Sequence, residues 1–164
     1  MKRYLSNSVV IVTLLIIAGC GFHLRGAVNL PESIKTMYVQ GLNLQRGVGL
    51  TLKRHLISNG IVVVEDYQKG NAVLDILENK YERRVLSVGS SAKVSEYELY
   101  GRITFKVTDG SGAILAEEQS VEAQKDYQFN QDEVLGAGEE ESVLRKDLEQ
   151  RLVRSIMRRL EAIK

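Results

Sequence analysis

The sequence predicts an α+β fold: a two-layer sandwich with a mixed four- to five-stranded sheet and two helices packed on one face. Three observations carry this. Residues 95–108 alternate, with Tyr97, Leu99, Ile103, Phe105 and Val107 on one side and Glu96, Glu98, Tyr100, Arg102, Thr104 and Lys106 on the other. That period of two marks a strand with one face packed and one face meeting water or a partner. Two well-separated stretches instead repeat their apolar residues at helical spacing. The order of segments is β-α-β-β-β-β-α, so two amphipathic helices are available to cover one face of a single sheet.

Taken in order, Ile34–Gln40 alternates and reads as a strand, ended by Gly41–Asn43. Gln45–Asn59 carries Val48, Leu52 and Leu56 in one row, with Asn59-Gly60 as its stop, since both residues tolerate the left-handed conformation. Ile61–Asp66 is β-branched and short, a second strand expected to be well buried. Ala72–Val88 is a long strand with an apolar start and a mixed remainder. Gly89–Val94 connects it to the alternating strand 95–108. Asp109-Gly110-Ser111-Gly112 is a hairpin turn, and Ala113–Phe129 returns with an interruption near Glu117-Glu118. Asn130–Gly138 reads as a loop. Glu139-Glu140-Glu141 then opens a helix, where the dipole favours negative charge, and Leu144, Leu148, Leu152, Ile156, Leu160 and Ile163 form its buried stripe.

The N-terminus has a different character. Lys2 and Arg3 precede an apolar run from Val9 to Ala18, which is the length of a signal core and too short to span a bilayer. Ile17-Ala18-Gly19-Cys20 resembles a bacterial lipobox, in which the thiol receives a diacylglycerol. Residues 1–19 are thus expected to be a lipoprotein signal peptide, residues 20–32 a lipidated tether and residues 33–164 a single domain. An ordinary secretory signal with a chance cysteine is the competing reading. Cys20 is the only cysteine, so no disulfide is available to the domain. Gly21 follows it where inner-membrane lipoproteins carry aspartate, which points to the outer membrane.

Composition excludes some classes. Without Lys2 and Arg3 the formal charge falls from +1 to −1, so no strong field draws the chain to nucleic acid. His23 and His55 have no ligand-type neighbours at metal spacing, Gly89-Ser90-Ser91 is no nucleophile elbow, and no Gly-rich phosphate loop precedes a helix. No catalytic residue, metal or cofactor is called for, which leaves binding.

Cys20-Gly21-Phe22-His23-Leu24-Arg25-Gly26 resembles the mature start of the lipopolysaccharide-assembly lipoprotein LptE family, and Asn29-Leu30-Pro31 fits that family's short linker. The resemblance implies an outer-membrane lipoprotein that plugs an LptD-like β-barrel in one-to-one association. It implies assistance to that barrel's assembly, help in inserting lipopolysaccharide into the outer leaflet, and direct lipopolysaccharide binding. Arg83, Arg84, Lys93 and Arg102 cluster around one strand–loop–strand unit and are the candidate contacts for its phosphates and carboxylates. Equally open is that they are solvated strand residues paired with Glu82, Glu96 and Glu98. Some family members place a lipopolysaccharide-linked lysine before the last helix, where this chain has Gly136-Ala137-Gly138. A free-standing periplasmic lipid- or ligand-binding transport accessory lipoprotein is the alternative to the barrel plug.

Overall fold

A computed structural model describes residues 31–89, 92–129 and 134–163, with side chains of the last stretch from residue 138. The signal segment, Cys20 and the tether before Pro31 lie outside the described residues. Five strands form one sheet: β1 (Thr36–Gln40), β2 (Val62–Val64), β3 (Ala72–Val88), β4 (Val94–Thr108) and β5 (Ile114–Gln128). Their order is β2-β1-β3-β4-β5. β1 runs parallel to both β2 and β3, while β3, β4 and β5 form an antiparallel meander, so the sheet is mixed. Helices α1 (Gly47–Ser58) and α2 (Val134–Glu161) pack against each other, α1 beside β2 and α2 across β4 and β5.

Between helices and sheet lies one apolar core. Met37 and Val39 from β1, Leu74 and Ile76 from β3, Ile103, Phe105 and Val107 from β4, and Val121 from β5 meet Leu52 and Leu56 of α1. From α2 come Leu152, Val153, Ile156 and Leu160. Burying each such side chain is worth about 1.5–3 kcal/mol relative to exposure. The opposite face of the sheet carries polar and charged residues, and no described element covers it.

α1 forms because Val48, Leu52 and Leu56 recur along its buried side. It ends as Gly60 turns to φ +84°, with the Ile61 amide bonding Leu56 O at 3.0 Å and the Gly60 amide bonding Ile57 O at 3.0 Å. That pair of bonds is a Schellman stop and satisfies carbonyls the helix would otherwise orphan. Gly41 lets the chain leave β1: its φ is +80°, and a Cβ there would lie 2.1 Å from Ile76 O. In the β4–β5 turn, Asp109 Oδ1 accepts from the Ser111 hydroxyl at 2.7 Å and from the Ser111 and Ala113 amides at 2.8 and 2.9 Å. These bonds, the hydroxyl's first, hold the carboxyl below the usual aspartate range.

Three elements depart from the sequence expectations. β2 spans only three residues at the sheet edge, and Val62 is 60% exposed, because it pairs with Thr36 on the uncovered face while Val63, beside Met37, packs against the core. The first strand begins at Thr36, and Ile34 belongs to a 3-10 turn. The expected loop 130–138 is in part helix, since α2 starts at Val134. Glycine retains its amide, so Gly136 and Gly138 cost about 1 kcal/mol each without stopping the hydrogen-bond ladder. Where an interruption of the last strand is expected, pairing jumps from Phe105–Gln119 to Val107–Ala116, leaving Glu117-Glu118 as a bulge.

Candidate functional site

Pairing register decides where the candidate cations go. Arg83 lies opposite Leu99 on the helix side, whereas Arg84 lies opposite Glu98 and Arg102 opposite Lys80 on the uncovered side. Adjacent residues of one strand must point to opposite faces, so Arg83 and Arg84 cannot act on one surface. Arg84 and Arg102 share a face. Lys93 sits exposed in the β3–β4 turn, its carbonyl accepting the Gly89 amide at 2.8 Å, next to Ala92 at φ +58°.

Arg83 belongs to a small network that ties the far end of the sheet to α2. Its Nη1 donates to Glu141 Oε2 at 3.0 Å, and the Tyr127 hydroxyl donates to the same oxygen at 3.0 Å. The guanidinium lies 4.7 Å from the Tyr97 ring centre, and Tyr97 contacts Tyr127 and Phe129 at centroid distances of 5.8 and 5.2 Å. Burial, then the neighbouring Glu141 carboxylate, raises the Tyr127 hydroxyl's pKa, so it remains a donor.

On the uncovered face the charges pair with one another. Arg84 donates to Glu82 Oε2 from Nη2 at 2.7 Å and from Nε at 3.0 Å, approaches Glu98 at 3.6 Å, and stacks 3.9 Å from the Tyr100 ring centre. Lys80 and Arg84 together hold the Glu82 carboxyl below its usual range, Lys80 contributing most. Arg102 lies 3.9 Å from Glu78 and 3.5 Å from Glu122, and donates to Ser120 Oγ at 3.2 Å. Lys106 pairs with Asp75 at 3.4 Å. Two expected partners, Glu82 and Glu98, are found with Arg84. Glu96 instead accepts from the Ser87 hydroxyl at 3.0 Å. Glu141, Glu78 and Glu122 were not legible as partners, because nothing in the sequence links residues brought together by register and helix docking.

The tip of the β3–β4 hairpin adds apolar surface: Val85, Leu86 and Val88 are each half exposed or more. Among the described residues no group of three His, Cys, Asp or Glu side chains could hold a metal ion. No described helix is long and apolar enough to cross a membrane.

The geometry defines a two-layer α+β domain whose sheet is packed on one side and presents a broad, internally paired charged surface on the other. The family model for LptE, lipopolysaccharide-assembly, matches residues 34–160. The chain belongs to the LptE family and, with it, to the lipoproteins of lipopolysaccharide assembly. It is 22% identical over 149 residues to the LPS-assembly lipoprotein LptE of Photorhabdus laumondii subsp. laumondii, covering 91% of this chain and 81% of that protein. Lipoprotein B from Nitrosomonas europaea, solved by solution NMR, has a similar structure, with a TM-score of 0.70, 31% identity and coverage of 87% and 91%. A minor lipoprotein from Acinetobacter baumannii, solved by crystallography, superposes with a TM-score of 0.67 at 25% identity, covering 80% and 94%.

Proposed function

We propose that this chain is the plug of an LptD-like outer-membrane β-barrel. It binds one barrel, assists the barrel's assembly, and helps pass lipopolysaccharide to the outer leaflet without catalysing a reaction. Cys20 carries the acyl chains that fasten it to the outer membrane, since two or more chains hold firmly where one does not. The domain beyond the tether then occupies the barrel lumen. The observation that carries this reading is the uncovered sheet face. Its charges are mixed in sign and already paired, as along Glu82–Arg84–Glu98 and Glu78–Arg102–Glu122. Such a surface suits a polar, wet lumen, where unpaired charge of one sign would be repelled or would bind indiscriminately. Family membership supports the same reading.

Lipopolysaccharide contact is assigned to Arg84, Lys93 and Arg102, with Arg83 positioning the hairpin through Glu141 and lending its charge. Extraction of the membrane in mild detergent tests the main claim. Co-purification with a large β-barrel in one-to-one ratio supports it; recovery of a lone lipoprotein overturns it in favour of a free-standing transport accessory. Charge reversal at Arg84 and Lys93 together should weaken lipopolysaccharide binding by the purified chain, and unchanged binding removes the residue assignment.

A further inference from the structure

The two edges of the sheet are unlike. β2 is three residues long, whereas β5 runs for 15, and no described strand lies beyond it. One bond tells which backbone groups of β5 are free. The Phe129 amide donates to Ser95 O at 2.9 Å, which places Phe129 among the residues that bond β4. Successive residues of a strand turn their backbone polar groups to opposite sides, so Tyr127, Lys125, Ala123 and Val121 bond β4 as well. The register is unbroken from Gln119 to Gln128. Ser120, Glu122, Gln124, Asp126 and Gln128 therefore turn amide and carbonyl away from β4. Such a row is a template for another strand, and sheets commonly guard it with a short edge, a bulge, proline or an inward charge. This row has no proline, and the Glu117-Glu118 bulge falls before it begins.

Helix α2 flanks the same edge. Its Glu141 meets Tyr127, and further along, Arg151, Arg154 and Arg158 border Glu122, Ala123 and Gln124 around a cavity of about 260 Å³. All three arginines are exposed. Arg151 bonds Asp147 at 2.9 Å, and Arg158 donates to the neutral Ser155 hydroxyl at 2.7 Å. Arg154 and Arg158 have no acidic partner among the described residues. Lys125 is the inward charge of this edge: it lies opposite the buried Leu99, on the helix side. Glu122 belongs to the uncovered face, where Arg102 lies 3.5 Å away. On the helix side, four cations thus stand against the single carboxylate of Asp147.

We infer that this edge accepts a strand from another protein, an extended segment with acidic side chains at every second residue. Its backbone pairs with residues 120–128 of β5, and its carboxylates meet Lys125, Arg154 and Arg158. Arg154 and Arg158 are about 6 Å apart along the helix axis, close to the roughly 6.7 Å between same-face residues of a strand. Its intervening side chains lie over Glu122 and Asp126, so they are neutral or basic. The chain's own tether does not fit, because residues 20–30 contain Arg25 and no acidic residue. A second copy does not fit either. Antiparallel pairing of two β5 edges would set both α2 helices on one side, with the arginines of one toward those of the other. The inference stands apart from the barrel reading, since a closed barrel wall has no free strand to offer.

The test is an NMR titration of the purified chain with a blocked peptide alternating glutamate and threonine. Beside it run the same peptide with every amide N-methylated and a peptide alternating lysine and threonine. The first is expected to shift the amides of residues 119–128 and 151–158, and the two controls to bind at least about tenfold more weakly. At saturation, amide exchange should slow about tenfold or more at Ser120, Glu122, Gln124 and Asp126, and stay as it was at Val121, Ala123 and Lys125, which β4 already protects. Arg154→Glu with Arg158→Glu should raise the dissociation constant about tenfold or more. Gln124→Pro removes an outward amide at an edge position that tolerates proline, so binding should be lost while thermal unfolding stays cooperative. The proposal is overturned if the peptide moves none of these amides at about 1 mM, or if the double charge reversal binds like the parent. That second outcome decides even if Gln124→Pro fails to fold. Equal binding of the N-methylated peptide, or shifts without the alternating protection, would reduce the site to charge attraction and overturn strand addition. Protection of the same four amides in the protein alone, growing with its concentration, would overturn the proposal by assigning the edge to a second copy.

Discussion

Gly101 shows how much one missing carbon decides. It sits on β4 where α2 crosses, and a Cβ there would lie 2.9 Å from Leu148 Cδ2 and 2.9 Å from Leu152 Cδ1. Both leucines are buried and set the distance between helix and sheet. Alanine can be met by small movements of the leucine ends, but valine adds two more carbons that have nowhere to go. Gly101→Val is expected to lower stability by about 1–3 kcal/mol, measured by urea denaturation, through overpacking. An unchanged midpoint would mean that α2 lifts from β4 at little cost. Arg83 and Arg84 make the complementary point. The sequence shows two adjacent arginines of equal chemistry. Strand geometry sends one to Glu141 beneath α2 and the other to Glu82 and Glu98 on the uncovered face.

At the scale of the element, the long hairpin of β3 and β4 reaches beyond the apolar core and needs an anchor of its own. Glu141 provides it, accepting from Arg83 and Tyr127 and so joining β3, β5 and α2 at one carboxylate. Glu141→Gln should speed amide exchange in the first turns of α2 and at the ends of β3 and β5, and leave residues 148–160 protected. Global stability should fall by less than about 1 kcal/mol, because the pair is partly exposed. The Tyr127 pKa should move down toward the ordinary phenol value, since a neutral amide no longer opposes the phenolate; an absorbance titration reads it. Uniform exchange across α2 in the variant would argue against a local anchor. The N-terminal portion of α2 was the least legible helix segment in the sequence, for a related reason. Its glycines advertise a loop, and the contacts that hold Glu141 come from strands 58 and 14 residues away.

For the whole molecule, the core joins the two ends of the described chain. Ile34 and Ile163 belong to one apolar cluster, so the first and last elements close the same unit. Ending the chain after Gln150 removes Leu152, Val153, Ile156, Met157, Leu160 and Ile163 from that cluster. At about 1.5–3 kcal/mol each, the loss is about 9–18 kcal/mol, as large as the roughly 5–15 kcal/mol that a domain has in reserve. The truncated chain is expected to show no cooperative thermal transition by circular dichroism; a sharp transition would mean that the sheet and α1 fold without α2. One side of this assembly is sealed by helices and the other is left as paired charge. The groove where α1, β3 and α2 converge on the packed side brings together an apolar lining, cations and the Tyr81 hydroxyl, which is unpartnered among the described residues.

What the sequence determined alone was what a local repeat can encode. The alternation of residues 95–108 set the sheet and its buried side, the leucine rows set both helices, and the turn at Asp109 set one hairpin, because each depends on neighbours within a few residues. Cys20 and the residues after it carried the family, since that signal is a motif and not a contact. Tertiary structure alone decided which arginine faces which way, that Val62 lies at an open edge, that α2 runs back to Val134, and that Arg46, Tyr81, Arg145 and Lys146 border one groove. Those outcomes depend on strand order, pairing register and helix docking, which bring together residues far apart in the chain, and no local periodicity records such a separation.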